Sequence, residues 1–178
     1  MANAKWAVDY AHSSIDFTVK HMMISKVKGS FQKFEADIEA DPQDLTSAKI
    51  SFTVDASSIH TKNADRDNHL RSADFFDVEN YPNITFVSKS VTKTGANTYD
   101  VTGDLTIHGV TKEETFKVTF EGLSKNPMSG AETAGFSAEG SVKRSDYGLT
   151  WNAALETGGV LVGDEIKFTV EVEASKAE

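Results

Sequence analysis

The sequence predicts an all-β protein, an antiparallel barrel of about eight strands carrying one short helix. Three observations lead there. Apolar and polar residues alternate in run after run, as they do along strands with one wet face. Several of these runs reach ten residues or more, where an ordinary strand has about five or six. The alternation fails once, between Ala64 and Ala73.

The first run places Ile15, Phe17 and Val19 on one face. A weaker one extends from Phe31 to Ala40, where Phe31 and Phe34 stand on opposite parities and Ala36, Ile38 and Ala40 follow Phe34, a slip of the kind a β-bulge produces. Ala48, Ile50, Phe52 and Val54 form the next. Ile84 to Val91 and Phe136 to Val142 are weaker. Tyr99, Val101, Gly103, Leu105 and Ile107 give the clearest case, each flanked by Thr or Asp. Phe116, Val118 and Phe120, and then Ile166, Phe168, Val170 and Val172, complete the set. Turn chemistry falls at "KVKGS" (26–30), "DPQD" (41–44), "KTGAN" (93–97), "HGVTK" (108–112) and "KNPMSGAETAG" (125–135), and connections this short imply antiparallel neighbours. Such strands build either a two-sheet sandwich or a barrel. Their length favours a barrel, whose staves are tilted. Gly103, Ala138, Gly140 and Ser88 fall on the inward set, and small residues on an apolar wall would leave room for a ligand.

The interruption reads "DRDNHLRSADFFDVENYP" from Asp65 to Pro82. Asn63 is placed to cap a helix, with Asp65 and Asp67 in the first turn, where the dipole favours acids. Asp65 with His69 and Asp67 with Arg71 stand at i,i+4 spacing. Arg66, His69, Leu70 and Ala73 would share the inward face, with the acids turned to solvent. The expectation is a lid over one end of the barrel, with Phe75 and Phe76 closing or lining it and Pro82 starting the next strand.

A chain of 178 residues fits one domain, 1–178, with no repeat or linker. The net charge of -9 disfavours binding to nucleic acid or to an anionic membrane surface. The absence of cysteine removes disulfides, thiolate metal sites and a Cys nucleophile and is neutral about compartment. No run approaches the roughly 18 apolar residues of a membrane span. "MANAKWAVDYAHSS" lacks the apolar core of a signal peptide, so the sequence as it stands is expected in the cytoplasm, and in the periplasm or outside only if a leader was removed. Asn83-Ile84-Thr85 matches a glycosylation sequon by chance on that view.

The polar residues divide between structure and function. His21 follows the parity of Phe17 and Val19; it is either a histidine satisfied by a backbone carbonyl or a contact for a ligand head group. Arg66 and His69 either anchor the helix or hold an anion. Arg144 continues the parity of Val142 and Gly140, which aims a guanidinium inward; it needs a partner such as Asp146, or it clamps an anion. Phe17 to Phe34 contains no acid but holds Lys20, His21, Lys26, Lys28 and Lys33, either a local basic hairpin for an anionic head or lysines that block edge pairing. His12, His60 and His108 show no metal-ligand spacing, so no metal is expected. No serine sits in a nucleophile elbow and no Gly-rich phosphate loop is found; Gly158 to Gly163 reads as a flexible loop before the last strand.

"DYAHSSIDFTVKH", "VKGSFQKFEADI", "DRDNHLRSADFFDVENYPNITFVS", "TGDLTIHGVTKE" and "VKRSDYG", in that order, resemble the YceI family of polyisoprenoid-binding proteins over nearly the whole chain. The resemblance implies an extended, lipocalin-like barrel with a short helix that holds a long isoprenoid or related lipid, without catalysis or cofactor, for binding, storage or transport. By the family's habit it also implies a homodimer. Many members are periplasmic, yet their leader is missing here. The family's Arg-x-Asp-Phe-Gly segment reads Arg144 to Gly148 with Tyr147 in place of Phe. The lumen expected on this reading is lined by Phe17, Val19, Phe34, Ile38, Phe52, Val54, Leu70, Phe75, Phe76, Phe86, Leu105, Phe136 and Trp151, with His21, Arg66, His69 and Arg144 for the head group. Two alternatives stand beside it: an enzyme acting on a lipid-like substrate through those four polar residues, or a filled barrel serving as a stress or interaction module.

Overall fold

The computed structural model describes residues 3–22, 24–125, 127–152 and 162–176. The strands are β1 (Ala4–Val8), β2 (Ser14–His21), β3 (Ser25–Phe31), β4 (Phe34–Asp41), β5 (Asp44–Asp55), β6 (Ile59–His60), β7 (Asn83–Lys93), β8 (Thr98–Ile107), β9 (Val110–Lys125), β10 (Glu132–Lys143) and β11 (Val162–Lys176), with helix α1 (Ala64–Arg71) between β6 and β7. Eight of them close a circuit in the order β1-β4-β5-β7-β8-β9-β10-β11, with β11 pairing back to β1. Every pairing is antiparallel. The fold is the closed eight-stranded barrel with one helix that the strand lengths predicted.

The remaining three strands extend that circuit. The carboxy-terminal end of β11 pairs with β1, through Trp6↔Lys176, while its earlier residues, from Val162 to Glu171, pair with β2. β2 continues into β3, and β3 into the two-residue β6. β1 and β2 are thus one stave broken by a 3₁₀ turn at Tyr10–His12. Asp9 forces the break by accepting the Ala11 amide at 3.0 Å.

Two sequence readings are corrected here. Phe31 and Phe34 do not flank a bulge in one strand; Phe31 ends β3 and Phe34 begins β4, and the chain turns a corner at Gln32 and Lys33. "KVKGS" is not a turn but part of β3, and the reversal lies earlier, where Met22 takes a positive φ of 53° and Ile24 N–H donates to His21 O at 3.2 Å. The "HGVTK" reversal needs only His108 and Gly109, both at positive φ, before β9 begins.

One end of the barrel is solidly packed. Trp6, Ile38, Leu45, Tyr99, Val172 and Ala174 fill it, and Trp6 Nε1–H donates to Ala40 O at 3.1 Å. That bond satisfies the indole in an apolar setting and ties β1 to β4 where the circuit closes. Toward the other end Leu105, Ile107, Phe116 and Leu149 pack around Tyr147, which is completely buried in a 3₁₀ turn at Arg144–Tyr147.

The inward glycines do not make room in the expected way. A Cβ on Gly103 would stand 2.7 Å from the Phe86 ring and 2.3 Å from Val87 O, and one on Gly140 would stand 2.5 Å from the Phe116 ring. These positions seat phenyl rings of neighbouring strands, which a side chain would displace.

Candidate functional site

Between the packed end and the helix lies a cavity of about 430 Å³, within the roughly 300–1,000 Å³ range of small-molecule sites. It exists because rings that point inward do not meet across the lumen. Phe17, Phe31, Phe52, Phe86, Phe136 and Phe168 face it and are only half-buried, in contrast to the fully packed end. An apolar space of this kind is costly to fill with water, because water finds no polar partners there.

Of the predicted lumen residues, Phe17, Val19, Ile38, Phe52, Val54, Leu70, Phe75, Phe76, Phe86, Leu105, Phe136 and Trp151 lie on this wall. Phe34 does not. Its ring is covered by Tyr10, edge-on at 5.3 Å, and by Phe52 at 6.2 Å, so it fills core outside the cavity. Phe31, Phe116 and Phe168 also line the wall; Phe116 and Phe168 follow the inward parity of their runs, whereas Phe31 is off the parity of Phe34 to Ala40 because it belongs to β3 and not to β4.

The lid end is an aromatic collar. Phe17 stacks on Phe31 at 5.5 Å and Phe31 meets Phe76 edge-on at 5.9 Å. His69 stands edge-on to Phe75 at 5.1 Å and to Trp151 at 4.7 Å. These contacts hold the lid on both sides of the opening.

α1 starts where Asn63 Oδ1 accepts the Arg66 amide at 3.0 Å, as expected of an N-cap. It ends at Arg71, so Ala73 lies beyond it and is exposed rather than inward. Asp67 does not face solvent or pair with Arg71. It is buried, accepts the Thr61 amide at 2.9 Å and the Thr61 hydroxyl, and lies 3.8 Å from His60 Nδ1. Arg71 instead donates to Ser57 O at 2.8 Å and Ile59 O at 3.2 Å. Both side chains fasten the helix to the β6 segment beneath it. Asp65 is exposed, and the partner of His69 is Asp74, 2.9 Å from Nε2.

Arg66 donates from Nε to the Thr61 hydroxyl at 2.8 Å and from Nη2 to Thr61 O at 2.6 Å, while Nη1 has no partner among the described residues. Arg144 lies on the cavity wall, as its parity predicts, but it projects from the start of the 3₁₀ turn rather than from a strand, and four carbonyls take the place of an acid partner such as Asp146. Nε donates to Gly163 O at 2.8 Å, Nη1 to Leu149 O at 2.7 Å and Trp151 O at 2.9 Å, and Nη2 to Val162 O at 3.2 Å. Burial lowers its pKa from the ordinary value, opposed by the charge of Asp164. Asp164 is itself lowered: burial pulls it upward, but two hydrogen bonds from Ser145 and the charges of Arg144 and Lys143 outweigh that. Gly158 to Leu161 of the expected loop lie outside the described residues, whereas Val162 and Gly163 already belong to β11.

The side chains on the cavity wall that can be charged near neutral pH are all basic. Lys20, His21, Arg66, His69 and Arg144 contribute to it and no aspartate or glutamate does, among the described residues. All five cluster at the lid end: His21 pairs with Val162, Lys20 touches Gly163, Arg144 binds both of those carbonyls, and His69 meets Trp151. Outside the barrel, Asp9, His12 and Glu173 bring three potential metal-ligand atoms within 4.8 Å. There Asp9 is engaged as a cap, and its 2.7 Å contact with His12 raises the imidazole pKa and lowers its own.

The sequence profile of the YceI-like domain matches residues 6–174. The chain belongs to the YceI family. Among YceI relatives, a UPF0312 protein of Staphylococcus aureus strain MSSA476 is 49% identical over 170 residues, covering 96% of each chain, and that of strain MW2 is equally similar. BcnA of Burkholderia cenocepacia superposes with a TM-score of 0.82 at 28% identity, over 93% of this chain and 98% of that one. The Campylobacter jejuni YceI protein gives 0.76 at 37% identity, over 89% and 90%. A polyisoprenoid binding domain from Saccharophagus degradans shares the fold, with a TM-score of 0.72 at 14% identity over 98% and 99%.

Proposed function

We propose that this protein binds a long-chain isoprenoid or related lipid in the barrel cavity and carries or stores it without chemical change. The observation that carries this reading is the 430 Å³ cavity, walled by phenyl rings and aliphatic side chains. Burying one five-carbon prenyl unit gains about 4 kcal/mol gross, at about 0.8 kcal/mol per carbon. A few units therefore outweigh the cost of ordering the chain. A polyisoprenoid binding domain of the same fold supports the choice of ligand class.

The one-sided charge at the lid end suits a head group that accepts hydrogen bonds or carries negative charge. On this reading the free Nη1 of Arg66 and the ring of His21 contact it. Arg144, whose donors are taken by four carbonyls, shapes the wall. An enzymatic role gains less from this arrangement, because Arg66, His69 and Arg144 are all engaged in holding the lid and its neighbours. Organic extraction of natively purified protein, followed by mass spectrometry, is expected to release a long-chain lipid at close to one per protein. Empty extracts from several expression hosts would overturn the reading.

A further inference from the structure

The β2–β3 hairpin has a composition that the barrel does not explain. At its tip Ile24 is 85% exposed and Met22 is 42% exposed. Just behind the tip Lys20 and Lys26 stand directly opposite one another, and Lys28 follows on the same outer face, opposite Thr18. Lys167 of β11, which is paired with Glu165 at 3.8 Å, flanks Thr18 on its other side. Like charges directly across a strand pair are unfavourable. Here neither partner has a carboxylate within 4.0 Å among the described residues, whereas Lys89 on β7 is paired with both Asp104 and Glu113. The run from Phe17 to Phe34 contains no acid in a chain of net charge -9. An apolar tip behind which unpaired lysines gather is complementary to a bilayer surface with anionic head groups.

We infer that the β2–β3 hairpin is a membrane-docking tip, inserting Met22 and Ile24 into the interface of an anionic bilayer while Lys20, Lys26 and Lys28 bind its head groups. The expectation that net charge keeps this protein off membranes gives way locally: the acidic remainder is repelled, so only the hairpin end can face the surface. Its position gives the docking a purpose. His21 and Lys20, at the base of the tip, are also on the cavity wall at the lid end, so a docked protein holds that end of the lumen against the bilayer. The inference rests on the lipid-carrier reading for its purpose, but its test does not.

The test is flotation of the purified protein with vesicles of pure phosphatidylcholine and with vesicles containing about one-third phosphatidylglycerol, both free of isoprenoid, at low and high salt. Binding is expected only to the anionic vesicles and to fall with salt. Replacement of the two β3 lysines (K26Q, K28Q), which lie off the cavity wall, is expected to lower partitioning about 25-fold, near fivefold for each charge. Ile24→Asp is expected to lower it at least tenfold, with an unchanged far-UV spectrum because the residue is exposed. Neither variant should lose uptake of a fluorescent fatty probe from solution, which separates docking from cavity binding. Wild-type protein that fails to float with anionic vesicles at low salt overturns the inference, as does undiminished flotation of the lysine or Ile24 variants. Loss of probe uptake in step with flotation would equally overturn it, because the vesicle signal would then report the cavity.

Discussion

The guanidinium of Arg144 lies 6.0 Å from the centre of the Phe75 ring, so a cation fixed to the barrel rim supports the lid from below. The same guanidinium gathers the carbonyls of Leu149, Trp151, Val162 and Gly163. Trp151 in turn packs on Phe75 and His69. One residue thus joins the start of β11, the segment after the 3₁₀ turn and the lid.

Removing that cation should therefore cost more than a surface charge would. Arg144→Met leaves four carbonyls to find new donors, and a loss on the order of 3 kcal/mol is expected, because each buried acceptor left unpaired costs about 1–3 kcal/mol and water recovers part. Arg144→Lys is expected to restore less than half, since an ammonium cannot reproduce the planar fork. Urea unfolding followed by tryptophan fluorescence measures both. Equal stability of the three proteins would refute the assignment.

Phe34 and Phe86 offer a contrast between core and wall. Phe34→Ala opens packed structure beside Tyr10 and Phe52 and is expected to cost about 3–5 kcal/mol while leaving lipid affinity of the folded protein unchanged. Phe86 already faces a void on one side, so Phe86→Ala should cost less and should alter probe affinity. Unfolding curves paired with fluorescent-probe titration decide between them; an affinity change in the Phe34 variant would return that residue to the cavity.

How far the sequence disclosed this arrangement depended on whether the determining contact was local. The alternation from Thr98 to Ile107 maps directly onto β8, whose odd-numbered residues are all buried, and Asn63 caps the helix that its type and position announced. The two residues of β6 carry no pattern and become a strand only because β3 arrives beside them. Phe34 has inward parity, but Tyr10, 24 positions earlier, covers it. Asp67 looked like a solvated first-turn acid because its partner, Thr61, lies below the helix, outside any helical spacing. Charge alone points Arg144 to an acid or an anion, whereas its partners are carbonyls up to 19 residues away.

Tyr147 makes a pH-dependent contribution. Burial above all, and then the 2.9 Å hydrogen bond to Glu114 and that carboxylate's charge, raise its pKa well above the ordinary value of 10.0. A group whose folded pKa is raised binds its proton more tightly when folded. Its stabilisation is therefore complete below about pH 10 and is lost as pH rises beyond that. Alkaline titration of phenolate absorbance should show a late phase that coincides with unfolding and is missing in Tyr147→Phe. That variant should lose about 1.5–3 kcal/mol at neutral pH, the value of one hydrogen bond to a charged acceptor. Complete ionisation of all tyrosines with native near-UV dichroism retained would refute the assignment.

Occupancy of the cavity should itself be visible as stability. A ligand that binds only the folded state stabilises it by about 2.7 kcal/mol at 100 times its Kd, which for a chain of this length corresponds to roughly 5–10 °C in Tm. Protein stripped of lipid by denaturation and refolded is expected to melt lower by that amount and to recover when lipid is added back. Ala138 projects from β10 onto the cavity wall, opposite Val118 on one side and Val170 on the other. Ala138→Trp would place an indole in the lumen, where empty space limits the usual penalty for overpacking. The variant is expected to fold, to release no lipid on extraction, and to show less than about 2 °C between its stripped and lipid-exposed forms. Differential scanning calorimetry measures the gap, and its persistence in the Trp variant would place the ligand elsewhere than in this cavity.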